Sequence, residues 1–259
     1  MTKKRVALAF CLALIFTLSV FALPTFGITD TVPGDGEEVY SGTFSPTDYA
    51  PGEDTAVTGF RSMYDGSLAH KIVARSIWYM LYGFTVYGHT AYSTTGYIDC
   101  SQYTSRVYKD FGYSITGVSR YYNTVGVPVS GVYSQLQPGS TTKWMLVGWE
   151  NLKPGDILTW WKEDATYGHH IGHVGIYMGA VNGKPSVLMT ISGRPTSLGV
   201  LTSFTYWYGE HFEGARRILP STAYTPGSTK IGYGPVIPAV YQMPLAYQVV
   251  LPKDLPQGF

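Results

Sequence analysis

Cys100 is one of two cysteines in the 259-residue sequence, and it lies in the stretch GYIDCSQYTS, residues 96–105. A single thiol can be a buried hydrophobic residue, half of an intermolecular disulfide or a nucleophile. Asp99 is a preferred helix N-cap residue, which places Cys100 in the first turn of a helix. The N–H groups and dipole of a helix start favour thiolate, and free amides at Cys100 and Ser101 would stabilise an oxyanion. We therefore predict that Cys100 is a nucleophile.

A thiol nucleophile needs a base, and His173 is the best-placed histidine for that role. The stretch HVGIYM, residues 173–178, alternates between apolar and other residues and predicts a strand. In that strand His173 shares one face with Gly175, which leaves room for a close approach, while Val174 faces the other side. The predicted pair is therefore Cys100 with His173.

The histidines at 169, 170 and 173 raise a competing class, a zinc hydrolase. His169 and His173 have the i, i+4 spacing that places two ligands on one helical face. In a strand, however, the two residues would lie about 13 Å apart, and His170 would face away from His173. No Glu lies between them to serve as a base. We predict no metal and no cofactor, and we expect His170 to line the cleft or to support His173.

Helical patterns precede strand patterns along the chain, which predicts an α+β fold with helices packed on a central antiparallel sheet. Apolar spacing and caps predict two helices, Ala69–Tyr82 and Asp99–Phe111, the second ended by Gly112. Alternation and turn signals predict three strands, Ile157–Trp161, His173–Met178 and Pro185–Ile191. The second and third strands would pair across residues 179–183.

Four stretches together resemble the NlpC/P60 family of secreted cell-wall cysteine peptidases. They are GYIDCSQYTSRVYKDFGY, LKPGDILTWW, GHVGIYMG and, ahead of the cysteine, the aromatic-glycine segment GFTVYGHT. The resemblance covers roughly residues 69–200. It implies a papain-like fold with Cys100 as nucleophile and His173 as base. It also implies hydrolysis of the bond between γ-D-glutamate and a diamino acid in peptidoglycan stem peptides. Residues expected to bind substrate or the oxyanion are Asp99, Ser101, Tyr87 and His170.

The sequence departs from the family pattern at three places. Gln102 stands where the family usually has Gly, and upstream Thr85 and His89 replace a Tyr and a Gly. The third polar residue of the family, commonly a His on the next strand, aligns here with Thr190. Its hydroxyl can accept a hydrogen bond from imidazole, although it cannot offset positive charge as a carboxylate does. A catalytically degenerate domain that only binds cell-wall peptides or a partner therefore remains an alternative.

The flanking segments predict export. Residues 1–27 combine three basic residues with an apolar stretch, as in a secretory signal peptide. Loss of those residues leaves 15 Lys and Arg against 17 Asp and Glu, a balance that favours neither nucleic-acid binding nor stable membrane attachment. Residues 28–59 are predicted to form a linker or arm, 60–219 the catalytic domain and 220–259 a Pro-rich tail. The oligomeric state is not predicted.

Overall fold

The computed structural model describes residues 53–82, 85–89, 97–191 and 197–227. Within them the helices are α1 (Glu53–Met63), α2 (Leu68–Tyr82), α3 (Cys100–Lys109) and the short α4 (Trp207–Glu210). The strands are β1 (Val86–Tyr87), β2 (Tyr97–Ile98), β3 (Val127–Pro128), β4 (Tyr133–Leu136), β5 (Trp144–Val147), β6 (Ile157–Asp164), β7 (Gly168–Val181), β8 (Lys184–Thr190), β9 (Leu198–Leu201) and β10 (Phe212–Arg217). Both predicted helices and all three predicted strands are present.

A six-stranded antiparallel sheet forms the centre of the described fold. Its strand order is β3-β10-β6-β7-β8-β9, with β6, β7 and β8 following one another as hairpins. Asn182 at φ 51° and Gly183 at φ 74° supply the left-handed turn between β7 and β8, a conformation that Asn and Gly tolerate. The α+β architecture predicted from the sequence is confirmed.

The strands carry apolar side chains on both faces, so two cores form. The helix-side core packs α1, α2 and α3 against residues such as Val174, Ile176 and Leu188. The second core includes Trp160, Tyr177 and Met189. Full burial of each such side chain contributes about 1.5–3 kcal/mol, so both cores hold the sheet in place. Strand β7 lies between them and presents alternate residues to each.

Two buried carboxylates connect elements around this sheet. Asp110, after α3, accepts hydrogen bonds from Arg75 Nε at 2.7 Å and from the Tyr79 hydroxyl at 2.8 Å, both on α2. Asp156, in the turn before β6, pairs with Arg217 of β10, whose guanidinium lies 2.6 Å from Oδ2. The first contact fixes α3, which carries Cys100, against α2.

The predicted domain boundaries agree only in part with the packing of the chain. Residues 53–59 of the predicted arm lie in α1, where Val57 is buried against the sheet, and the start of the predicted tail packs on the domain through Ala223. The predicted leader, the remainder of the arm and the tail after residue 227 lie outside the described residues. Among the helices that are described, none has the length and apolar character needed to cross a bilayer.

Candidate active site

Helix α3 begins at Cys100 because Asp99 caps it. Asp99 has an extended backbone, and its Oδ1 accepts hydrogen bonds from the Gln102 amide at 2.7 Å and from the Ser101 hydroxyl at 2.8 Å. This leaves the amides of Cys100 and Ser101 free to interact with the sulfur. The predicted cap and the predicted position of Cys100 in the first turn are both confirmed.

The Cys100 thiol is buried between α3 and β7, with 3% of the residue exposed. The pairing of β7 with β8 begins at Ile176 and Leu188, so Val174 precedes the paired part of the two strands. The backbone N–H of Val174 donates to the Cys100 sulfur. Burial, followed by the negative charge of Asp99, raises the pKa of Cys100 to about 12, although the backbone N–H groups of Val174, Ser101 and Cys100 oppose the rise. In this resting structure the group is a neutral thiol.

His173 lies on the face of β7 that belongs to the second core. Its Nε2 is 2.9 Å from Met189 Sδ, and its ring contacts Trp160 and Tyr208 at centroid distances of 5.6 and 6.2 Å. A thioether can only accept, so Nε2 carries the proton and Nδ1 keeps its lone pair. Burial lowers the pKa of His173 to about 4, and the charge of Asp99 opposes that decrease. The imidazole is therefore a neutral base at physiological pH.

Cys100 and His173 share neighbours without a direct hydrogen bond between them in the described part of the chain. The backbone N–H of Val174, adjacent to His173, donates to the Cys100 sulfur, and Asp99 acts on the pKa of both groups. Burial raises the pKa of Tyr208, and the charge on Cys100 adds to the rise, so the phenol lies within electrostatic reach of the sulfur while its ring contacts His173. The arrangement places a thiol and an unprotonated imidazole beside the middle of β7, at His173 and Val174.

An open cavity of about 360 Å³ lies in front of His173. The residues that line it include Tyr87, Lys162, His173, Thr190, Trp207 and Tyr208. Its size is within the range of ligand pockets, and its walls combine aromatic rings with a few polar groups.

The NlpC/P60 family profile matches residues 85–189. This part of the chain is therefore similar to an NlpC/P60 domain. Members of this family are cell-wall peptidases and related hydrolases. The matched range contains Cys100 and His173 and ends at Met189. This finding confirms the resemblance drawn from the four sequence stretches.

Among solved structures, an NlpC/P60 family protein from Bacillus cereus ATCC 10987 matches with 23% identity and a TM-score of 0.40. The match covers 59% of this chain and 40% of that chain, so it spans less than half of the bacterial protein. No curated protein matches the chain.

The contact with His173 expected of Thr190 is made by Met189. Thr190 borders the cavity, but its Oγ1 is buried with no hydrogen-bond partner among the described residues. Thr190 pairs with Leu198 of the helix-side core, whereas Met189 lies opposite Gly175 on the face that carries His173. Because side chains alternate along a strand, the sequence alignment missed the partner of His173 by one residue. A catalytic role for Thr190 stays a prediction.

Two other predicted site residues, Tyr87 and Ser101, lie at the cavity and at the start of α3. Tyr87 borders the cavity and contacts His89, with ring centroids 5.7 Å apart. The Ser101 hydroxyl donates to Asp99 and lies 2.8 Å from the Gly117 carbonyl, so its side chain holds the helix start and only its amide is directed to the sulfur. The predicted roles of Tyr87 in substrate binding and of Ser101 at the oxyanion stay predictions.

His170 lies away from the thiol, at the hairpin between β6 and β7. Its Nδ1 is 2.8 Å from the Gly168 carbonyl, and its Nε2 is 3.5 Å from Asp164. His169 lies instead beside Glu213, at 3.4 Å. The described residues bring no group of three or more His, Cys, Asp or Glu side chains together as metal ligands. No contact links His170 to His173 among the described residues, so a supporting role for His170 stays a prediction.

Two of the residues that depart from the family pattern, Gln102 and His89, contact one another beside the nucleophile. Gln102 Nε2 donates to the His89 carbonyl at 3.1 Å, and His89 Nδ1 lies 2.7 Å from Asp99 Oδ2. The larger side chain at position 102 therefore connects α3 to the segment after β1. Sequence reasoning treated the two substitutions separately, and it also missed Met189, Lys162, Trp207 and Tyr208.

The buried thiol predicts slow alkylation. A rise in the pKa of Cys100 from 9.0 to about 12 lowers the thiolate fraction near neutral pH about a thousandfold. The more basic thiolate is also more nucleophilic, so we expect a net rate about 50-fold below that of a free cysteine. Iodoacetamide labelling, read on the Cys100 peptide by mass spectrometry, measures the rate. Labelling in urea should restore the ordinary rate, and equal rates in the two conditions would contradict the burial.

Proposed function

We propose that the NlpC/P60-like domain is a cysteine peptidase that cleaves peptidoglycan stem peptides at the bond between γ-D-glutamate and a diamino acid. The observation that carries the proposal is the helix start at Cys100, whose sulfur accepts a hydrogen bond from the backbone N–H of Val174, next to the neutral imidazole of His173 on β7. The family match supports the substrate class. The leader-like residues 1–27 support export to the cell wall.

In the proposed reaction, Nδ1 of His173 takes the thiol proton as the sulfur of Cys100 attacks the carbonyl carbon. Both groups are neutral at rest, so proton transfer accompanies attack. The amides of Cys100 and Ser101 stabilise the oxyanion. His173 then gives its proton to the departing amine, and water activated by the same nitrogen hydrolyses the thioester. Since Cys100 is 3% exposed, substrate binding must uncover the sulfur.

Digestion of purified muropeptides tests this function. Mass spectrometry should show loss of the diamino acid together with any residues attached after it, leaving a product that ends in D-glutamate. A chelator should leave the rate unchanged, because the proposed chemistry uses the thiol and the imidazole. Heat-inactivated protein is the control. Binding of muropeptides without any new product would instead support the degenerate binding domain, which the buried thiol and the thioether partner of His173 also fit.

A further inference from the structure

Lys162 lines the cavity beside His173, and its side chain packs against the neighbouring strand. Its residue on β6 pairs with His170, and its aliphatic stem crosses Gly172. A Cβ atom at Gly172 would lie 2.3 Å from Lys162 Cγ and 2.5 Å from Cδ, closer than any side chain tolerates. Glycine at this position therefore lets the lysine stem lie against the strand that carries the base.

Gly172 is also the extra residue of a β-bulge. Strands β6 and β7 pair Trp160 with His173 and then Trp161 with Ile171, so Gly172 has no partner across the ladder. A bulge bends the strand and changes the direction of neighbouring side chains. The same local irregularity thus sets the position of His173 and makes space for the stem of Lys162.

The charge of Lys162 is available to a ligand. Of the described side chains that line the cavity, Lys162 alone carries a full charge at neutral pH, because burial keeps His173 neutral. Its nearest acid is Asp164, with 3.7 Å between Nζ and Oδ2 and half of the lysine side chain exposed. An exposed pair at this distance contributes little, so a ligand carboxylate can compete for the ammonium group.

The surroundings of Lys162 favour an anionic peptide. Trp207 and Tyr208 form aromatic walls of the same cavity. In a γ-linked D-glutamyl residue the side-chain carboxyl forms the peptide bond, so the α-carboxylate stays free. The α-carbon and two methylene groups separate that carboxylate from the carbonyl under attack. This short separation suits a cation held next to the base.

We propose that Lys162 is a specificity residue that binds the free α-carboxylate of the D-glutamyl residue and so discriminates against peptides in which it is amidated. The inference rests on the proposed function for the identity of the substrate. It assigns to Lys162 a role in binding and none in the chemical step.

Two synthetic stem peptides that differ only in this carboxylate, free or amidated, test the assignment. We expect wild-type protein to prefer the free acid about tenfold in kcat/KM, through KM. Lys162→Gln keeps the stem as far as Cδ but removes the charge, and should lose this preference because its loss in kcat/KM is larger on the free acid than on the amidated peptide. Lys162→Glu should reverse the preference. Lys143→Gln, at another exposed lysine, is the matched control.

Calorimetric binding of both peptides to the Cys100→Ala protein separates this inference from the proposed function. A preference for the free acid that depends on Lys162 would support the inference even where the wild type cleaves neither peptide, an outcome that overturns only the proposed function. An equal loss on both peptides in Lys162→Gln, an unchanged preference, or no binding of either peptide would overturn the inference. Higher salt should weaken the preference, since the interaction is between charges.

Discussion

Replacement of Cys100 by alanine is expected to lower kcat for muropeptide cleavage by a factor on the order of 10⁴ or more, to the background of the assay. No other described group near His173 offers a thiol, and the free cysteine of the described chain is Cys100. The amides of the α3 helix start remain in the variant, so substrate binding should persist. Product formation by mass spectrometry and muropeptide affinity by calorimetry measure the two effects separately.

Two variants control this experiment. Cys11→Ala removes the other cysteine of the chain and should leave the rate unchanged. Cys100→Ser keeps the size of the side chain and should be as inactive as the alanine variant, because a hydroxyl is a far weaker nucleophile beside the same base. Thermal unfolding of each variant shows whether the domain is folded. Undiminished cleavage by folded Cys100→Ala protein would exclude Cys100 as the nucleophile.

The local parts of the site were predictable from the sequence. Asp99 as a cap, Cys100 in the first helical turn and His173 on a strand all derive from short-range rules that involve a few neighbouring residues. The helices and strands of the α+β fold derive from the same rules. These features depend on local hydrogen bonds and on alternation, which the sequence displays directly.

Strand register decides whether Met189 or Thr190 contacts His173, and local sequence rules determine register poorly. The turn at Asn182–Gly183 and the bulge between Tyr177 and Gly179 together set the pairing of β7 with β8. A bulge adds one residue to one strand, so counting outward from the turn misplaces the pairing by one residue. That single step moves a side chain to the other face of the sheet.

Lys162, Trp207 and Tyr208 reach the cavity from elements distant in sequence from both Cys100 and His173. Strand β6 ends in the charged run Lys162-Glu163-Asp164, which by itself indicates only a solvated strand end. Helix α4 has four residues, too few for a helical period to appear. Their convergence is a property of the tertiary fold, and the sequence carries no local sign of it.

Met189 is the residue whose substitution should increase activity most. In Met189→His, an imidazole near the present thioether position would accept the Nε2 proton of His173 and stabilise the imidazolium formed during attack. Sulfur in a thioether is a weak acceptor and provides little of this stabilisation. We expect kcat to rise about a hundredfold, the lower end of what a well-placed proton-transfer group contributes, with little change in KM.

The pH profile of Met189→His distinguishes positioning of the base from improved packing. The pKa of His173 is about 4 in the wild type, so the neutral base persists, and kcat should hold, down to about that pH. An acceptor at Nε2 favours the protonated ring and raises its pKa, which moves the acid limb of the profile upward. Met189→Leu, which keeps an apolar side chain of similar size, should show neither the gain nor the shift. If Met189→His and Met189→Leu share one rate and one acid limb, Met189 only packs against His173, and the group that orients His173 lies elsewhere.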